Sequence, residues 1–209
     1  MVDNIFGYVY NVNCCITLEK EGTIMKSKKL TIYQITFMAL MAAVTCILGP
    51  LSVPIGQVPI SLTNLVIYFT VYVLGAWAGT GSYCIYLILG AVGLPIFSGF
   101  AGGLGKLLGP TGGYLVGFIF MALIGGLVIE LAHRNIWLTM IGWVVGTAAA
   151  YLFGTIWFVY LLKCSVAYAL TVCVFPFIVF DIIKIVIATL LGKTVRIALT
   201  KAGMIEKTA

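Results

Sequence analysis

The chain has 209 residues, 62% hydrophobic and 9% charged, with a formal net charge of +6. A soluble domain of this size carries about a quarter charged residues, so this sequence cannot cover a water-facing surface. Several apolar runs reach the roughly 20 residues that a helix needs to cross hydrocarbon, and they do not alternate as membrane-barrel strands do. The expected fold class is therefore all-α: an integral membrane protein of six transmembrane helices in a compact bundle. The basic residues sit mainly at span boundaries, with no basic tail or arm, which favours the charge bias of cytoplasmic loops over a nucleic-acid footprint.

Residues 1–24 lack the basic leader, long apolar core and small-residue cleavage site of a signal peptide. From Met25, "MKSKKLTIYQ" reads as a basic stub entering a membrane helix. Translation is expected to start at Met25, leaving residues 1–24 as a non-native or disordered extension and 25–209 as one six-helix substrate-binding domain. The first span is expected from about Leu30 to Leu48, ending at Gly49-Pro50, with the Pro/Gly-rich link "GPLSVPIGQVPI" behind it. The second covers about Ser61 to Ala76, and a turn near Gly79–Gly81 leads to the third, about Ser82 to Leu94. A glycine-rich connection fills Pro95 to Gly112. The fourth span runs from Gly113 to Leu131 and ends at "HRN"; the fifth is Ile136 to Leu162. After a short apolar stretch comes the sixth, about Pro176 to Leu199, with Pro176 in a first turn that needs no N–H there.

Lys26, Lys28, Lys29, Arg134, Lys193, Arg196, Lys201 and Lys207 fall on one side of a six-span chain, against Lys106 and Lys163 on the other. Both termini are expected to be cytoplasmic. Small residues four apart, at Ala39/Ala43, Gly75/Gly79, Gly113/Gly117 and Gly142/Gly146, suit close helix packing. The six cysteines, Cys14, Cys15, Cys46, Cys84, Cys164 and Cys173, form no C-x-x-C pair and have no histidine cluster beside them. Reduced apolar thiols are expected, with no metal site.

No catalytic constellation stands out. The single histidine, His133, lies at a span end beside Arg134. "GFAGGLGKLLG" fails the phosphate-loop pattern, because Phe100 and Leu107 stand where Gly and Ser/Thr are required. No ATP site is visible in the chain, so any energy must come from an ion gradient or a partner. The sixth span, "FPFIVFDIIKIVIATLLGK", carries Asp181 and Lys184 among apolar residues. Each costs about 2.5–3.5 kcal/mol at the centre of a spanning helix. Three residues apart, they share a helix face and can turn together into the bundle. Asp181 would lie roughly 8 Å below the helix start, within reach of an external ligand. An internal ion pair, or a lysine snorkelling to the surface, is the alternative. On the same outer side, the glycine block could bring backbone near a ligand or offer N–H groups to an acid, with Phe97, Phe100 and Tyr114 as apolar walls. The alternative there is a flexible loop.

"VPISLTNL", "GLPIFSGFAGGLGKLLGPTGGYLVGF" and "FPFIVFDIIK", in this order, closely resemble the biotin-specific S-component of energy-coupling factor (ECF) transporters, the BioY family. The resemblance runs from about Met25 to the end. It implies a high-affinity biotin-binding subunit, not an enzyme, that captures biotin outside a prokaryotic plasma membrane. Its implied partners are a transmembrane coupling (T) component and two ABC ATPases, which alone use ATP; no cofactor is implied. The implied binding residues are Asp181, Lys184, Phe97, Gly99, Phe100, Gly102, Gly103 and Tyr114. Ala39 and Ala43 correspond to the family's partner-docking patch, and about Val53 to Pro59 to its lid. Ala101 stands where the family often has a polar residue and Thr63 where it often has Gln, which leaves Asn64 as a candidate replacement contact. An S-component for another vitamin and a stand-alone ion-coupled carrier are the competing readings.

Overall fold

In a computed structural model, residues 32–54 and 58–204 are described. The expectations for residues 1–24, a start at Met25, Lys26, Lys28, Lys29, Lys207, Cys14 and Cys15 lie outside them. The elements are α1 (Ile32–Leu48), β1 (Ser52–Val53), β2 (Ile60–Ser61), α2 (Thr63–Leu74), α3 (Ala76–Val92), α4 (Leu104–Leu107), α5 (Gly112–Leu131), α6 (Ile136–Leu162), α7 (Val166–Cys173) and α8 (Phe175–Lys201). Six of the helices, α1, α2, α3, α5, α6 and α8, form the bundle; α4 and α7 are short additions to its connections. By length and composition, Gly112–Leu131, Ile136–Leu162 and the run Val166–Lys201 can each cross a membrane.

The expected boundaries need correction in the first hairpin. Helices α2 and α3 meet at Gly75, not near Gly79–Gly81, which lie inside α3. Gly75 has φ 95° and ψ 176°, a conformation essentially limited to glycine. Its neighbour Ala76 donates its N–H to Glu130 Oε1 at 2.9 Å. Gly79 instead lets the two arms touch, since a Cβ there would lie 2.6 Å from Val71 Cα. The pair read as a packing motif thus divides into a corner and a contact. The α5–α6 interface uses glycine from both helices: a Cβ on Gly117 would meet Ala150 O at 3.0 Å, and one on Gly146 would meet Met121 O at 2.8 Å. Close backbone approach replaces the hydrophobic drive that lipid cannot supply.

At 12 residues, α2 rises only about 18 Å, well short of the roughly 30 Å hydrocarbon core. The expected second span was longer because Ser61 and Leu62 read as part of the same run. The backbone before α2 instead forms a two-stranded hairpin, with Ser52 opposite Ser61 and Val53 opposite Ile60. Non-helical backbone at membrane depth is tolerated where protein encloses it or a cavity receives it. The segment matched to a lid, Val53 to Pro59, belongs to this hairpin; its residues 55–57 lie outside the described residues.

The glycine-rich connection is tied down. Gly99 N–H donates to Pro50 O at 3.1 Å, Gly103 N–H to Gly90 O at 2.7 Å, and Phe97 N–H to Ala101 O at 2.9 Å. Tyr86 Oη donates to Ile96 O at 3.0 Å, and Trp157 Nε1 donates to Gly109 O at 3.0 Å. In the core Tyr68 packs against Trp143 with the rings tilted by 58° and their centroids 4.8 Å apart. Asn135 caps α6 by accepting from Trp137 N, and Ser165 caps α7 by accepting from Tyr168 N. Both supply the oxygen that orphaned first-turn N–H groups need.

Candidate functional site

Along α8 the buried residues include Phe177, Asp181, Lys184, Ala188, Gly192 and Arg196. Their three- and four-residue spacing marks one face of a helix, and that face turns to α2 and α6, not to lipid. Asp181 and Lys184 are 5% and 7% exposed. Lys184 Nζ lies 3.3 Å from Asp181 Oδ1. The ammonium also donates to Asn64 Oδ1 at 2.9 Å and to Ser61 O at 2.9 Å. Its three protons are thereby all engaged. Asn64 Nδ2 donates to Asp181 Oδ1 at 2.6 Å, and Tyr151 Oη donates to Asp181 Oδ2 at 2.6 Å. Four segments of chain therefore converge on one carboxylate–ammonium pair.

This arrangement decides between the sequence alternatives for Lys184. The side chain does not snorkel; it is held inside by three acceptors. A buried pair is tolerated when geometry is good and its remaining hydrogen-bonding groups are satisfied, and the first turn of α2 supplies that satisfaction. The short α2 is what makes this possible, because its N-terminal turn starts level with Asp181 and sets Asn64 against the pair.

The clasp forms the floor of a cavity of about 60 Å³. Val58 and Pro59 from the hairpin, Ser98 and Thr111 from the glycine-rich connection, and Tyr114, Leu115 and Phe118 from α5 contribute to its walls. Tyr151, Cys173 and Phe177 close the side beside Asp181. About 10–15 Å³ is needed per water, so this volume is a narrow cleft.

Of the residues singled out in the sequence, Asp181, Lys184, Asn64 and Tyr114 come together at this cavity. Phe97 does not reach its walls. The ring is fully buried behind them, edge-on to Tyr86 at 5.5 Å and against Gly90. Phe100 is 66% exposed with φ 56°, directed away from the core. Gly99, Gly102 and Gly103 are likewise absent from the lining. The N–H groups of Gly99 and Gly103 are spent on carbonyls, and a Cβ on Gly102 would strike Leu94 O at 2.3 Å. These glycines fold the connection, and Ser98, just before them, is what faces the cleft. Ala39 and Ala43 are both exposed on α1.

Sequence reasoning missed Tyr151, Phe177, Ser98 and Thr111. Phe177 was findable, lying four residues before Asp181 on the same helical face. Tyr151 had a weaker signal: a phenol in the middle of a 27-residue apolar helix must find a partner for its hydroxyl. Nothing in the sequence names that partner.

A six-helix membrane bundle with a polar clasp beneath an apolar-walled cleft defines an integral membrane protein built to hold a small molecule. The sequence model of the BioY family matches residues 25–201. The chain is 39% identical over 142 residues to the biotin transporter BioY of Thermotoga maritima, covering 68% of this chain and 83% of that one. It is 34% identical over 169 residues to the biotin transporter BioY2 of Lactococcus lactis, covering 80% and 91%. Among solved structures, the S-component for biotin from an ECF-type ABC transporter superposes with a TM-score of 0.73 at 29% identity, covering 78% of this chain and 90% of the other. The chain belongs to the BioY family, a family of transporter components and not of enzymes.

Proposed function

We propose that this protein captures biotin from outside a prokaryotic cell and, as the S-component of an ECF-type importer, delivers it to the cytoplasm. The observation that carries the reading is the clasp of Asp181, Lys184, Asn64 and Tyr151 at the base of the cleft. Biotin's ureido ring offers two N–H donors and one carbonyl acceptor. The Asp181 carboxylate has about four acceptor positions, three of them taken by Asn64, Lys184 and Tyr151, so one remains for a ureido N–H. Lys184 can release Ser61 O and donate to the ureido carbonyl without losing Asp181. The sulfur-containing ring is apolar and fits the aromatic surface of Tyr114, Phe118 and Phe177. Relatives and a solved neighbour named for biotin support this ligand over other vitamins.

The S-component reading assigns the energy supply to partners, a T component and two ABC ATPases, which agrees with the lack of an ATP-binding pattern in the sequence. The exposed Ala39 and Ala43 give α1 a flat face for docking a partner helix. The distribution of Lys and Arg in the sequence supports cytoplasmic termini. Titration calorimetry of the purified protein tests the ligand: biotin should bind tightly while a panel of other vitamins should not, and preference for another vitamin refutes the assignment. Ala39→Trp should leave biotin binding intact and abolish ATP-driven uptake in reconstituted vesicles; normal uptake removes the docking role.

A further inference from the structure

A second cavity lies at the end of α8 remote from Asp181, bounded by the last turn of α2, the α5–α6 turn and the last two turns of α8. Tyr72, Arg134, Lys193, Arg196, Thr200 and Lys201 line it, with Ile197 at the lip. Positions 193, 196, 197, 200 and 201 repeat at helical spacing and present one face. By helical rise, Arg196 sits about 18 Å along the axis from Lys184, so the two cavities are separate.

Part of this basic cluster has a structural duty. The guanidinium of Arg134 donates to Tyr72 O and that of Arg196 to Val73 O. Those carbonyls end α2, where Gly75 cuts the helix short and leaves them without intrahelical partners. Arg134 also lies 5.6 Å from the centroid of the Tyr72 ring. This duty does not exhaust the site. Arg134 Nε is buried and has no hydrogen-bond partner, and Lys193 and Lys201 stand exposed at the rim. The described residues contain only two carboxylates, Glu130 and Asp181. Asp181 is committed to the clasp, and Glu130 accepts from Ala76 N. Four cations therefore share the neighbourhood of one carboxylate.

We propose that this cavity binds the phosphate of an anionic phospholipid. The planar donor fork of arginine matches phosphate oxygens, and basic pockets between membrane helices suit anionic headgroups. Lys193 and Lys201 would close over the phosphate from the rim. The acyl chains would lie along the lipid side of α8, where Leu190 and Ile197 are 52% and 47% exposed and seven residues apart. That adjoining apolar stripe favours a lipid over a soluble anion. A choline headgroup would bring its own positive charge into a site already in cationic excess.

The test is native mass spectrometry of the full chain titrated with phosphatidylglycerol or phosphatidylcholine. Phosphatidylglycerol should bind at least about tenfold more tightly. The double substitution Lys193→Gln/Lys201→Gln, at exposed positions that carry no helix-capping bond, should weaken phosphatidylglycerol roughly thirtyfold and leave biotin binding unchanged. Lys106→Gln/Lys163→Gln removes equal charge at the other end of the bundle and should change little. Equal losses in both double variants would mean diffuse attraction to the whole protein and overturn the site. Equal affinity for the two lipids would overturn it as well. Displacement of the lipid by inorganic phosphate at comparable concentration would reassign the cavity to a soluble anion. The lipid-binding outcomes do not depend on whether biotin is the ligand of the clasp.

Discussion

The two ends of α8 both bury charge, and they do so in opposite ways. Around Asp181 and Lys184 the charges cancel, and every proton of the ammonium has an acceptor. Around Arg134 and Arg196 the positive charges outnumber the nearby carboxylate, and they lean on backbone carbonyls. A closed, neutral network fixes side-chain directions without attracting ions. It suits recognition of a neutral ring by hydrogen bonds. An open, cationic cluster stabilises a helix end and keeps attraction in reserve for an anion. The same helix thus carries a closed ion-pair network at one end and an open cationic cluster at the other, because α2 brings its polar N-terminus to the first and its bare C-terminus to the second.

The largest test of this contrast is to break the closed network. Lys184→Met leaves the Asp181 carboxylate without its counter-charge, which should destabilise the fold by about 3–5 kcal/mol. Adding Asp181→Leu to that variant should recover part of the loss, as coupled partners are non-additive. Denaturation of the single and double variants in detergent checks both statements; simple additivity would show that the pair is not a unit. Next, Asp181→Asn should weaken biotin binding by tenfold to over a hundredfold, from the loss of a charge-assisted bond of about 1.5–3 kcal/mol. Calorimetry that returns the native affinity would dismiss Asp181 as a contact. Tyr151→Phe keeps the wall of the cleft but removes the donor to Asp181 Oδ2. An affinity loss near the lower end of that range is expected, with little change in folding.

At the other end of α8, Arg196→Met should cost about 1–3 kcal/mol of stability by stripping Val73 O of its donor, while biotin affinity stays native. A parallel loss of biotin binding would erase the distinction between the two ends. A stability effect of similar size is expected at the corner. Gly75→Ala forces a β-carbon into a glycine-only conformation at about 1–3 kcal/mol and presses on Glu130, 2.5 Å from the added carbon. Thermal unfolding should shift downward without altering ligand selectivity.

The legible part of the site was what one helix carries. Asp181 and Lys184 are three residues apart, and helical geometry alone puts them on one face. The rest of the clasp comes from afar: Asn64 lies 117 residues before Asp181, and Tyr151 reaches it from a different helix. Local spacing holds no record of such distances. The glycine block misled for a related reason. Flexibility at Gly99, Gly102 and Gly103 pointed to contact with a ligand, yet two of their N–H groups are spent on Pro50 and Gly90 carbonyls. The same ambiguity hid the corner at Gly75, since glycine in a membrane segment signals a turn and a close helix contact equally well.

By itself the sequence determined the membrane bundle, most of its span limits and the inward pairing of Asp181 with Lys184. Those follow from the cost of placing charge and unpaired backbone in hydrocarbon, a penalty that any short window of residues already expresses. Tertiary structure alone decided which groups satisfy the pair, that α2 stops short at both ends, and that four cations gather around a single cavity. These depend on contacts between distant segments, where satisfying one buried polar group fixes the position of another.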